Sequence, residues 1–206
     1  MDKIVLSTSF LPPIEYFFYL LKGKKIIIEK YETYKKQTYR NRCVIYTEKG
    51  EMSLSIPIVK PNGNHSKTHS IEIYYAENWQ KKHWRAITSA YQASPYFLYY
   101  KDELEVIFLK KYEKLIDFNM HLINKLTELI NIDINISYSA IFMEANNLEF
   151  DLRFKISPKE PSTIQNFPSY IQVFSDRHGF IKNLSIIDLL FNLGPETLSY
   201  LKSLGD

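Results

Sequence analysis

From Ile186 to Leu193 the chain is apolar at all but two positions, a run that predicts a helix buried on every side. Ser185 is placed to cap its start, with Asp188 three residues on as the acidic half of a short capping box. Gly194 suits the left-handed turn that ends a helix, and Pro195 then opens the next short one. The two polar interruptions, Asp188 and Asn192, stand four apart and share a face. A buried carboxylate needs partners, because an unpaired charge away from water is strongly destabilising. Asp188 therefore reads either as a cap with a structural hydrogen bond or as the holder of positive groups, with Arg40 and Arg42 available.

The rest of the chain alternates strand and helix patterns. Ile4-Val5-Leu6 reads as a short buried strand, Pro12-Pro13 opens a helix through Leu21, and Gly23 stops it. Ile26-Ile27-Ile28 then forms the unbroken apolar run of a strand covered on both faces. Strand, helix, strand in that order favours a right-handed parallel crossover. Residues 31–42 are polar, aromatic and basic, a loop or short helix at that strand's end. Residues 43–47 and 52–59 predict a hairpin about Glu48-Lys49-Gly50, with Met52, Leu54, Ile56 and Ile58 inward. Pro61-Asn62-Gly63-Asn64 opens a mobile loop, and Ile71, Ile73 and Tyr75 alternate in a further strand.

Asn78 predicts a cap for a helix over 79–91, whose stripe of Trp79, Ala86, Ile87, Ala90 and Tyr91 also carries His83. Asp102 with Glu105 gives a second capping-box pattern, and Asp117 a cap for a helix with Phe118, Leu122, Leu126 and Ile130 inward. Ile134, Ile136, Tyr138 and Ala140 alternate as a strand. Residues 144–168 lose all periodicity and carry three prolines, the pattern of a long loop that covers a site. The expected architecture is α/β: a single mixed domain over residues 1–206, with a small sheet flanked by helices.

Composition narrows the class. A hydrophobic content of 45% and an aromatic content of 15% exclude disorder. Sixteen tyrosines supply rings with polar tips, suited to cores and ligand walls alike. The net charge of +3 creates no demand for nucleic acid or an acidic membrane. One cysteine, Cys43, rules out an internal disulfide and suits a reducing compartment. The N-terminus lacks a signal-peptide pattern and the apolar run at 14–21 is too short to span a bilayer, so the expectation is a cytoplasmic protein without a membrane span.

The densest polar tract is Tyr34-Lys35-Lys36-Gln37-Thr38-Tyr39-Arg40-Asn41-Arg42. If it enters a strand, Arg40 and Arg42 reach one side and can grip a carboxylate or phosphate through paired N–H groups. A solvated basic loop, or arginines paired with Asp188, is the equal alternative. Tyrosines interleave with the basic residues, but no RNA-recognition signature is present, so nucleic acid is not the expected partner. His83 lies on an apolar stripe beside Trp84, where histidines are more often core residues than catalysts. The five histidines lack zinc-ligand spacing, so no metal site is expected, and no motif calls for a cofactor. Cys43 reads as packing, with activation by the neighbouring arginines as the alternative. No phosphate loop, nucleophile elbow or paired-carboxylate motif names a reaction.

Several tracts together resemble one family. They are Leu11-Pro12-Pro13 with Tyr16-Phe17, Tyr34-x-Lys36-x-x-Tyr39-Arg40-Asn41-Arg42, Trp79-x-x-x-His83-Trp84, Tyr91-x-x-Ser94-Pro95-Tyr96-Phe97, Tyr170-x-Gln172, and the tract from Asn183 to Pro195. In that order they resemble the WbqC-like proteins, in the short form found in Bacteroidetes-type bacteria. Ser7-Thr8-Ser9-Phe10 stands where other members often carry Gln-Pro-x-Tyr. The resemblance implies a role in O-antigen or other surface-polysaccharide biosynthesis, with transfer of an aminoacyl (glycine) or acyl group to a sugar as the suggested activity. On that reading Arg40 and Arg42 bind the anionic part of a nucleotide-sugar or of an acyl or aminoacyl donor. His83 is the general base and Asp188 orients it or an arginine. Tyr34, Tyr39 and Trp84 wall the pocket, and Lys36, Asn41, Gln172 and Asn192 complete the substrate-binding set. The alternative is a non-catalytic sugar- or RNA-binding module. Convergence of His83, Arg40, Arg42, Gln172 and Asp188 in one cleft is what distinguishes the enzyme. Donor, acceptor and oligomeric state stay open.

Overall fold

A computed structural model describes residues 1–144 and 150–205. Strands β1 (Lys3–Leu6) and β2 (Lys25–Ile28) flank helix α1 (Ile14–Lys22). The two strands pair in parallel, Ile4 opposite Ile26 and Leu6 opposite Ile28, as the crossover pattern requires. Five of the six apolar residues on this pair are all but inaccessible, and Ile27 is nearly so. Gly23 ends α1 for a steric reason: a Cβ there would lie 2.5 Å from the Ile26 side chain.

The hairpin joins β3 (Arg42–Thr47) to β4 (Gly50–Ser55), with Gly50 at φ 91° closing the turn. Leu54 and Ile56 face inward, but Met52 is 39% exposed. It sits near the turn and lines an open groove with Ala86 and Phe174 instead of entering the core. Two short strands, β5 (Ile58–Val59) and β6 (Glu72–Ile73), pair antiparallel across a loop with two single turns of 3₁₀ helix.

Helices α2 (Trp79–Tyr91), α3 (Phe97–Leu109) and α4 (Leu115–Ile130) follow. Asn78 starts α2 through a left-handed backbone, φ 49°, without a side-chain cap. Asp102 caps nothing. Helix α3 starts five residues earlier and runs through it, because Phe97, Leu104, Ile107 and Phe108 already make a buried stripe. Asp117 falls in the first turn of α4, where its charge complements the helix dipole, and the cap position is Lys114.

Strand β7 (Ile136–Tyr138) pairs in parallel with the other side of β2, giving the sheet order β1-β2-β7. Of the loop expected over 144–168, residues 145–149 lie outside the described residues; the remainder returns to the sheet, where Leu152 donates its N–H to the Val5 carbonyl. Then come α5 (Ser175–His178), α6 (Ile186–Leu193) and α7 (Thr197–Ser203). Helix α6 is buried from Ile186 to Asn192, as its composition demands. The Ser185 hydroxyl does not cap it; it donates to the Leu11 carbonyl and ties α6 to the residues before α1. Gly194 has φ 52°, and a Cβ on it would lie 2.5 Å from the Tyr96 ring. The result is a mixed α/β fold with small sheets flanked by helices around one apolar core.

Candidate functional site

Parallel strands in α/β sheets offer ligand sites beyond their carboxyl ends, where loops diverge. Here β1 runs on into Ser7 and Thr8, and β2 into Glu29 and Glu32. Arg40 meets them from the Tyr34–Arg42 tract. Its Nε and Nη2 both donate to Glu32 Oε1, at 2.9 and 2.6 Å, and Nη2 also donates to Ser7 Oγ at 2.6 Å. Both partners of this ion pair are 2% exposed. The Ser7 hydroxyl donates to the Arg153 carbonyl, and Asn119 Nδ2 donates to Thr8 Oγ1 and the Arg40 carbonyl. Arg153 itself grips Asp151 through Nε and Nη2, with its Nη1 3.9 Å from Glu29 Oε2. Glu29 is fully engaged by the Tyr31 and Met143 amides and the Ser139 hydroxyl.

Four buried polar atoms in this neighbourhood make no hydrogen bond among the described residues: Glu32 Oε2, Arg153 Nη1, Asn119 Oδ1 and the Tyr34 hydroxyl, which feels the Arg40 charge. Such orphans are rare in folded proteins, and a cluster of them calls for water or a ligand. A cavity of about 10 Å³, room for one water, lies against Ser7, Thr8, Tyr16, Arg40 and Arg153. Phe154 and Phe142, both partly exposed, cover the guanidinium groups, Phe154 at 5.7 Å from each. Burial raises the proton affinity of Glu32, outweighing the opposing pull of Arg40. The cluster thus sets a carboxyl group of raised proton affinity beside two guanidinium groups.

The other expected site residues fall into three places. Tyr34, Lys36, Asn41 and Arg42 line one open groove of about 390 Å³. Arg40 and Arg42 do not share a side: Tyr39 and Arg40 form a turn between bends, so the alternation expected of a strand starts only at Arg42. Tyr39 borders the small cavity by Arg40.

Asp188, Gln172 and Asn192 form a second cluster, on α6 and the loop before it. Asp188 Oδ1 accepts from the Tyr170 hydroxyl at 2.6 Å and from Gln172 Nε2 at 2.9 Å, and Asn192 Nδ2 donates to the Asp188 carbonyl. Gln172 also exchanges two hydrogen bonds with the Ile181 backbone. Asp188 therefore holds the 170–181 loop to α6. It pairs with neither arginine, since Arg40 is taken by Glu32 and Arg42 bonds Ser55. Burial raises its pKa despite these donors.

His83 makes no hydrogen bond to either cluster among the described residues. It packs against Phe10 and Trp79, its Nδ1 is buried without a partner, and Trp84 beside it is buried against Phe108. Burial first, then the Lys82 charge, lower the His83 pKa to about 4. Among the described residues no hydrogen bond or ion pair joins His83 to Arg40, Arg42, Gln172 or Asp188. Cys43 is buried and burial raises its thiol pKa. Among the described residues no group of acidic, histidine or cysteine side chains has a metal-holding arrangement, and no helix is long and apolar enough to cross a membrane.

Glu29, Glu32, Ser7, Asn119, Asp151 and Arg153 were not legible as site residues. The available signal was position: Glu29 and Glu32 directly follow an isoleucine strand of the type found in parallel sheets.

The chain is 25% identical over 228 residues to an uncharacterized protein, Rv1507c, of Mycobacterium tuberculosis, with 98% of each chain covered. No solved structure matches it. The model of the WbqC-like protein family matches residues 8–160, a span that includes Arg40, Glu32, His83 and Arg153 but stops short of α6. Both the match and the tracts it covers lead to one conclusion: the chain belongs to the WbqC-like protein family.

Proposed function

We propose that this protein is a cytoplasmic enzyme of surface-polysaccharide biosynthesis that transfers an acyl or aminoacyl group to a sugar, with its reacting centre at the carboxyl ends of β1 and β2. The biosynthetic setting and the transfer reaction are what the family resemblance implies. The observation that carries the position of the centre is the gathering of buried polar atoms without a hydrogen bond about Arg40 and Glu32. Glu32 takes the proton of the attacking sugar hydroxyl or amine as that atom bonds the acyl carbonyl carbon, and returns it to the donor's leaving group as the acyl–donor bond breaks. Arg40 and Arg153 stabilise the negative charge that develops on the transferred carbonyl. The cavity beside Arg40 and Arg153 holds only a water, so substrate entry requires the side chains over the guanidinium groups, Phe154 among them, to shift.

The test is made in a cell whose polysaccharide genes include this one, reading glycan composition by mass spectrometry beside soluble protein level. Glu32→Gln and Ser7→Ala are expected to reduce a glycan substituent further than the accompanying fall in soluble protein, with a loss per molecule of about 10²-fold or more for Glu32→Gln, whose unpaired Arg40 also lowers stability. His83→Gln is expected to leave the substituent in place; its loss there would move the base to His83. A non-catalytic sugar-binding module is the second reading, favoured by the lack of any hydrogen bond between Asp188 and His83 among the described residues. It takes over if all three variants leave the glycan unchanged.

A further inference from the structure

The groove that holds Lys36 and Arg42 also receives Lys60 from the end of β5, and no carboxylate lines it. Lys101, Lys114, Lys125 and Arg177 on the same molecule each pair with an acidic side chain. Lys36, Arg42 and Lys60 enter no ion pair among the described residues. Lys60 is held in place by donating to Asn64 Oδ1 at 2.7 Å. Partial burial and then the adjacent Lys36 ammonium hold its pKa below the ordinary lysine value. Arg42 uses its Nε on Ser55 Oγ, at 3.3 Å, and makes no other side-chain hydrogen bond among the described residues. Like charges kept together without a counter-charge oppose folding. Their convergence on one concave surface is therefore the mark of an anion site.

We propose that this groove is a binding site for a diphosphate-bearing ligand, held by Lys36, Arg42 and Lys60. Three cations on one rim match the multiple charge of a diphosphate better than that of a single carboxylate, and a volume of about 390 Å³ leaves space for a group attached to it. The assignment uses residues outside the Glu32–Arg40 centre and does not depend on the transferase reading.

The experiment is calorimetric titration of the full chain with inorganic pyrophosphate, with uridine diphosphate, and with sulfate at matched ionic strength. Both phosphate probes are expected to bind more tightly than sulfate. Lys36→Gln with Lys60→Gln should weaken them about tenfold or more, while the melting temperature of the unliganded double variant stays level or rises as the repulsion is relieved. Tighter binding of uridine diphosphate than of pyrophosphate identifies a nucleotide as the source, and equal binding identifies the diphosphate alone. The proposal is overturned if sulfate binds as well as pyrophosphate or if the double variant binds unchanged. It is also overturned if the unliganded double variant is destabilised, or if single-stranded RNA binds in a salt-resistant manner where pyrophosphate does not. Glu32→Gln should retain pyrophosphate binding, which separates failure of this site from failure of the proposed reaction.

Discussion

His83 and Asp188 are both titratable groups placed among apolar ones, and burial moves them in opposite directions. His83 stays neutral in the fold down to about pH 4, whereas in the unfolded chain it takes up a proton near its ordinary value of 6.5. Between those limits the unfolded state binds more protons, so stability is lost as pH falls through that window. After allowance for screening at a partly exposed ring, about 1 kcal/mol should be lost by pH 5. Urea unfolding at pH 7 and pH 5 tests this, with His83→Phe expected to flatten the difference; an equal slope in both proteins would contradict it. For Asp188, replacement by Asn should cost roughly 1–3 kcal/mol, because the amide puts a donor or a weaker acceptor opposite Tyr170 and Gln172. An unchanged melting temperature would show that the carboxylate carries little of the loop's attachment.

Among the elements, α6 and its end have the narrowest tolerance. Gly194→Ala would force a Cβ into the Tyr96 ring at a positive φ, and a loss of about 1–3 kcal/mol is expected by thermal unfolding. A variant as stable as the parent would mean that Tyr96 moves freely. Periodicity made α1, α2, α6, the β3–β4 hairpin and the parallel crossover legible, since each has a clear apolar face or run. Asp102 misled because a capping-box spacing also arises by chance inside an amphipathic helix; the start of α3 is fixed instead by the buried stripe from Phe97. The alternation at Ile71, Ile73 and Tyr75 located β6 but overstated its length, and the strand expected over 52–59 is broken into β4 and the two-residue β5. The Arg40–Arg42 alternation failed for a local reason, the turn that precedes β3.

At the scale of the whole molecule, the centre at Arg40 is assembled from segments far apart in sequence. Ser7 bonds the Arg153 carbonyl across 146 positions, and Asn119 reaches Thr8 across 111. No fixed spacing encodes such a cluster, which is why Arg40 was legible and its partners were not. Removing one side of the Arg40–Glu32 pair, as in Arg40→Met, should cost about 3–5 kcal/mol, and Arg40→Met with Glu32→Leu should recover much of it. Equal losses in the single and double variants would indicate that shape, not charge, holds the cluster. The sheet has a further consequence for biogenesis. Strand β2 pairs on one side with β1, made just before it, and on the other with Ile136 to Tyr138, made much later. During translation the Ile26-Ile27-Ile28 strand therefore waits with one edge open, a sticky template for a neighbouring nascent chain. Ribosome-bound fragments ending before β7 should aggregate or recruit chaperones, and those extending past Arg153 should not.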